Sequence, residues 1–194
     1  PENKFIITIN KKNLKPNQRI QIKSEKIIIA TGGKSYPKTG SNGKGYELAA
    51  KLGHTITPLL PSLVPIETKG NTAKKLQDLS LKNVKASIWC KNKKVAEKFG
   101  EMLFTDFGLS GPIILTLSKT IVRLINEKQK VTVSIDLKPA LNFKILDQRL
   151  LREINEYSKQ SFKYLLKKLL PKKMIPIFIE KLNIPEDKQL SYIT

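Results

Sequence analysis

Apolar and polar positions alternate over Phe5-Ile-Ile-Thr-Ile9 and again over Arg19-Ile-Gln-Ile-Lys23, with β-branched residues prominent in both. A polar stretch holding Asn13, Pro16 and Asn17 separates them, so the spacing predicts a hairpin. The next segment, Lys26-Ile-Ile-Ile-Ala30, is a continuous apolar run that ends in Thr31-Gly32-Gly33. That is the pattern of a buried strand emerging from a sheet into a glycine turn. Gly43 to Gly53 reads as a short helix, opened by a glycine loop and stopped by Gly53 at the C′ position. A strand from His54 to Thr57 is expected after it, and Pro58, Pro61 and Pro65 mark a crossing into a second unit.

From about Ser62 to Leu137 the period is mostly two: Leu63 to Ile66, Val84 to Trp89, Lys94 to Ala96, Glu101 to Phe104 and Val131 to Leu137. The segment predicts a small, barrel-like antiparallel β unit. One helix interrupts it, Pro112 to about Asn126, with Ile113, Leu117, Ile121 and Leu124 on one face. After Pro139 the period turns helical. Ile145, Leu146, Arg149, Leu150 and Ile154 make one stripe, Tyr164, Leu165 and Leu169 a second, and Ile175, Phe178, Ile179 and Leu182 a third. Pro171, Pro176 and Pro185 are expected at helix starts, where proline is tolerated. The reading is an α+β chain. Residues 1–60 supply a β hairpin, a buried strand and a short helix, residues 61–139 the β-barrel-like insert, and residues 140–194 a helical subdomain.

Composition narrows the classes. With 40% apolar and 27% charged residues among 194, the chain can bury a core, which excludes wholesale disorder, collagen and a coiled-coil fibre. Lys and Arg number 36 against 16 Asp and Glu, a net charge of +20. Arg19, Arg123, Arg149 and Arg152 are the only arginines, so lysine carries the surplus. Lysine is a compact point charge suited to phosphates rather than to bidentate reading of base edges. An AT-rich coding composition would also enrich lysine, but it supplies Glu and Asp too, and acids are scarce here. Cys90 is the single cysteine, which excludes an internal disulfide framework and a thiolate zinc cluster and predicts a reducing, cytoplasmic setting. No metal site is expected. No run of about 18 apolar residues is present and Pro1-Glu2-Asn3-Lys4 does not open a signal peptide, so no membrane partner is expected. The absence of a leading Met suggests a piece of a longer chain.

Two glycine-bearing stretches could carry chemistry. The first runs from Ala30 to Tyr46, a strand end and an extended loop leading to a helix N-terminus. Glycines permit close backbone approach and free N–H groups favour an anion, although glycine-rich turns before helices are also common as simple connections. The second is Gly100-Glu-Met-Leu-Phe-Thr-Asp-Phe-Gly-Leu-Ser-Gly-Pro112, a strand, a turn and a helix start. Ser110 is placed to cap that helix and Asp106 is a turn carboxylate able to accept a hydrogen bond or a proton. His54 reads as a structural or surface histidine, and Cys90 beside Trp89 as a small packing residue.

Both stretches, in order, resemble the bacterial NAD(P)/FAD-dependent oxidoreductases of the HI0933-like, or aminoacetone-oxidase-like, flavoprotein family. The matching signatures are Ala30-Thr-Gly-Gly33, Ser35-Tyr-Pro-Lys-Thr-Gly-Ser41, Gly43-Lys-Gly-Tyr46, Leu52-Gly-His-Thr-Ile56, Pro61-Ser-Leu-Val-Pro65 and Leu103-Phe-Thr-Asp-Phe-Gly-Leu-Ser-Gly-Pro112. The resemblance covers about residues 26 to 137, and the helical remainder has the position and length of that family's helical insertion. It implies that residues 1–60 are the edge of an FAD-binding domain. It also implies that the Gly-x-Gly-x-x-Gly turn and the C-terminal segment completing the flavin pocket are both missing, so that this piece does not hold FAD alone.

Carried over residue by residue, the resemblance assigns cofactor contacts to Ala30, Thr31, Gly32, Gly33, Ser35, Tyr36, Pro37, Thr39 and Gly40. The edge of the substrate cleft falls to Gly43, Gly45, Tyr46, Thr105, Asp106, Gly108, Ser110 and Gly111. Family members often carry Asp at the position of Lys44 and sometimes His at that of Asp106, so a role that rests on a negative charge at 44 or on an imidazole at 106 is not implied here. The implied activity is that of an FAD-dependent reductase with NAD(P)H as electron donor. Its implied substrate is either a uracil ring in large-subunit ribosomal RNA or an unsaturated small molecule of the steroid or bile-acid type. The surplus of lysine favours RNA, with few aromatics for stacking. A basic RNA-binding module without chemistry is the rival from another class.

Overall fold

The computed structural model describes residues 5–9 and 20–193. The chain divides into two compact units between Pro58 and Leu59.

In the first unit, strands β1 (Phe5–Ile9) and β2 (Ile20–Ser24) pair antiparallel, Phe5 opposite Ser24 and Ile9 opposite Ile20. The polar connection predicted between them lies outside the described residues. Helix α1 spans Lys44–Lys51. Its end is the predicted glycine stop: Gly53, at φ +89°, donates its N–H to Ala50 O, and His54 N–H reaches Ala49 O. These two bonds close a Schellman motif, which gives His54 a structural role through its backbone. The expected buried strand over Lys26–Ala30 does not form, nor does the strand over His54–Thr57. A strand exists through its ladder, and no described segment pairs with either run; Ile28 accordingly stands 89% exposed.

The second unit carries one antiparallel sheet of five strands, in the order β3 (Ile66–Glu67), β6 (Gly108–Ser110), β5 (Lys93–Phe104), β4 (Ser80–Cys90), β7 (Val131–Asp136). Helix α2 (Thr72–Lys75) lies between β3 and β4 in the chain, and α3 (Pro112–Asn126) between β6 and β7. The sequence suggested two short strands at Lys94–Ala96 and Glu101–Phe104, but they are one long β5, because β4 supplies a partner along its whole length. Only Ile66 of the Leu63–Ile66 run joins the sheet; Leu63, at φ +54°, turns the chain instead. The β4 and β5 strands meet in a tight turn at Lys91-Asn92, with φ values of +48° and +60°, the conformation that matches strand twist. Two register shifts between β4 and β5 add local twist, and the sheet curls into a half-barrel.

Inward residues of β4 (Leu81, Val84, Ala86, Ile88 and Cys90) bury against α3, whose Ile113, Leu117, Ile121 and Leu124 form the predicted stripe. Cys90 belongs to this core. A buried hydroxyl, Ser118 Oγ, donates to Leu115 O at 2.7 Å and accepts the Val64 N–H at 3.3 Å. Val64 is thereby tied to the helix, while only Ile66 of that run pairs in the sheet.

Beyond β7 come α4 (Phe143–Glu156), α5 (Phe162–Leu169) and α6 (Ile175–Leu182). Asn142 and Ser161 cap α4 and α5 by accepting from Ile145 N and Tyr164 N. Pro176 opens α6 and Pro171 precedes a 3-10 turn, whereas Pro185 starts no helix and heads a turn closed by Lys188 N–H. Phe162, Leu165, Leu166, Ile175 and Leu190 make a second core, and Leu170 and Phe178 pack against both clusters. Lys168 Nζ stands 3.5 Å from the Tyr157 ring centroid, tying α5 to the end of α4.

Candidate functional site

The loop of the first unit is built by its own glycines. Ala30, Thr31 and Gly32 lead into it, and a 3-10 turn over Pro37–Thr39 is closed by Thr39 N–H and Ser41 N–H, both on Tyr36 O, and by Gly40 N–H on Pro37 O. Gly43 N–H returns to Gly33 O at 3.0 Å, which brings the start of α1 back to the glycine pair. A Cβ at Gly45 would overlap Thr31 Oγ1, one at Gly32 would come within 2.6 Å of Ser41 Oγ, and one at Gly33 would meet the Tyr46 hydroxyl at 3.3 Å. Gly32, Gly33, Thr31, Ser41, Gly43, Gly45 and Tyr46 therefore form one close-packed turn. From Lys34 to Gly40, including Ser35, Tyr36, Pro37 and Thr39, the loop is exposed.

These residues suit a cofactor as an edge: an added Cβ at Gly40, φ +102°, meets nothing within 4 Å, so the backbone there is open to approach. A flavin ring needs a wall on more than one side, and an exposed loop does not enclose it. What the open backbone at Gly40 offers is one face for a ligand to lie against.

The second turn is equally specific. Thr105 and Gly108 exchange bonds, Thr105 N–H to Gly108 O and Gly108 N–H to Thr105 Oγ1, each at 2.9 Å. Gly108 lies against the Ile66 carbonyl, and Gly111, at φ +91°, lies against the Met102 backbone. Side chains are excluded from both positions by backbone. Ser110 is the last residue of β6, paired with Leu103; the first position before α3 is Gly111, and no side chain caps that helix. The expected Ser110 cap is thus replaced by a strand role, because Ser110 is held in the ladder opposite Leu103 and Gly111, which has no side chain to accept a bond, occupies the cap position. Asp106 and Phe107 are exposed at the turn's tip.

Two features escaped the sequence reading. Trp89 lies on the outer face of the sheet with Lys85 and Ser87, and its Nε1–H donates to Ser134 Oγ at 2.8 Å. With Lys91, Asn92, Gln129, Lys130 and Thr132 it lines a recess of ≈ 350 Å³. The alternation of β4 carried the signal, since Trp89 occupies a polar-side position. On the same face Lys94 Nζ bonds Glu97 at 2.7 Å and holds that carboxyl below its ordinary value. The second feature is an apolar cavity of ≈ 430 Å³ between β7 and the three last helices, lined by Leu146, Leu150, Leu166, Phe178 and Leu182 among others, with Arg149 and Lys138 at its margin. It arises because the α4 stripe is only half covered. Among the described residues no helix is long and apolar enough to cross a membrane, and no three His, Cys, Asp or Glu side chains gather as metal ligands.

A curled antiparallel sheet followed by a helical subdomain is the architecture of a known family, and residues 60–194 match the family described as HI0933-like protein barrel and H2TH domain. The chain belongs to that family. Among curated relatives, it is 33% identical over 175 residues to a ribosomal RNA dihydrouridine synthase of Haemophilus influenzae, covering 90% of this chain and 40% of the relative. It is 32% identical over 162 residues to the protein of that name from Escherichia coli, covering 84% and 38%. A 3-dehydro-bile acid delta(4,6)-reductase of Clostridium scindens is 27% identical over 164 residues, covering 84% and 40%. The chain spans about two fifths of the length of these relatives, one of which is named as a reductase and two as synthases.

Proposed function

We propose that this chain is the substrate-side part of an FAD-dependent reductase that saturates a uracil ring in large-subunit ribosomal RNA. The observation that carries the choice of substrate is the charge of +20, since lysines that neutralise phosphates drive RNA binding and a steroid requires none. The names of two relatives at 33% and 32% identity point the same way. FAD supplies hydride transfer, with NAD(P)H as the donor that reloads it. The work of this chain is to offer the packed Gly32–Tyr46 turn as a margin for the cofactor and the Thr105–Gly111 turn as a margin for the substrate. Backbone at Gly40 would lie open to the cofactor; the Thr105 and Gly108 bonds hold their turn in shape. Neither role requires a titrating group.

The apolar cavity beside α4 favours a second reading, an unsaturated, largely apolar small molecule as substrate; the cavity's few polar groups are Asp136, Lys138 and Arg149, the last paired with Glu153. Titration of the chain against a folded ribosomal RNA domain, a DNA duplex of equal charge and heparin, each at two salt concentrations, separates the two. Selective RNA binding that survives the higher salt is expected. Equal binding to all three that collapses with salt would return the small molecule to the front.

A further inference from the structure

The recess beside Trp89 has the composition of a nucleotide site. Its lining offers an indole, two ammonium groups, two amides and a hydroxyl, and no carboxylate. Each suits one part of a nucleotide: the indole a base face, Lys91 and Lys130 a phosphate, Asn92 and Gln129 a base edge. Its ≈ 350 Å³ falls in the range of small-ligand sites, about 300–1,000 Å³. The parts are held in place. The bond to Ser134 fixes the indole, and Lys91 and Asn92 stand on a tight turn that joins the two longest strands. Lys91 and Lys130 have no ion-pair partner among the described residues, while Glu97 on the same face is taken by Lys94.

We propose that this recess receives one unpaired nucleotide of an RNA strand, stacked on Trp89 with its phosphate between Lys91 and Lys130. The inference rests on the RNA reading above and adds a docking position for it. A base paired within a duplex has no free face to stack, so the site reads loops, bulges or ends. The strand, rather than a free mononucleotide, is the occupant because the surplus of lysine extends well beyond this recess.

Trp89 is the single tryptophan of the chain and reports on its own site. Short single-stranded oligouridine added to the full chain is expected to quench its emission, saturating at the concentration where fluorescence anisotropy of labelled RNA also saturates. Heparin should bind without that quenching. Lys91→Ala with Lys130→Ala should weaken RNA binding roughly tenfold and lower the salt slope by about two. Trp89→Ala should weaken it about tenfold, and Trp89→Phe much less. RNA binding with unchanged emission and an indifferent lysine pair would overturn the recess while leaving the RNA reading intact. Uridine monophosphate quenching as tightly as the strand would overturn the choice of occupant. Failure of the chain to bind any RNA would sink both.

Discussion

Gly111 shows how one residue joins a fold to a turn. Its φ of +91° and its approach to the Met102 backbone leave no room for a side chain, because the obstacle is main chain and cannot rotate away. Gly111→Ala is expected to cost roughly 2–4 kcal/mol, read from the shift in a urea unfolding midpoint at constant slope. Ser118 is the polar counterpart. Its hydroxyl is fully buried and serves two partners, so Ser118→Ala should cost about 1–2 kcal/mol by leaving Val64 N–H unpaired. At this scale the sequence was informative about glycines and misleading about Ser110. The Gly-Leu-Ser-Gly-Pro string announces a turn, but whether the serine caps or pairs depends on which residue reaches the helix first, and a contact with Leu103 settles that.

Elements form where local signals and partners agree. Of the two helices with a side-chain cap, α4 depends on it more than α5, since α4 buries no residue fully and α5 buries three. Asn142→Ala should therefore cost about 1 kcal/mol and reduce amide protection in its first turn, visible by hydrogen exchange. A pH-dependent contact links α2 to α6: Lys75 Nζ bonds Glu180 at 2.8 Å and holds that carboxyl below its ordinary value. A depressed carboxylate stabilises above the unfolded-state value, and its contribution is lost as pH falls through the folded-state value. The Glu180 side-chain resonance should titrate below that of a free glutamate, and Lys75→Ala should move its midpoint up. The pair is exposed, so the change in overall stability will be small. The α3 to α6 stripes and the β1–β2 pairing were legible from periodicity and α1 from its glycines, while the short α2 and the joining of two short runs into β5 were not, because one turn of helix shows no period and alternation does not reveal how far a partner strand extends.

At the scale of the whole molecule the second unit owns both hydrophobic clusters. Residues 59–194 alone should unfold in one cooperative transition that circular dichroism and Trp89 fluorescence report together. Separate transitions by the two probes would show that the helical subdomain and the sheet do not share a core through Leu170 and Phe178. Sequence alone was enough for the α3 stripe, the Gly53 stop of α1, the glycine turns and the charge, all of which are set within a few residues or by simple count. Only the tertiary arrangement settled that Ser110 is a strand residue and that Trp89 shares a recess with Lys91 and Lys130. Each depends on a partner distant in sequence, and a strand, a hydrogen-bonded indole or a recess is completed only when that partner arrives.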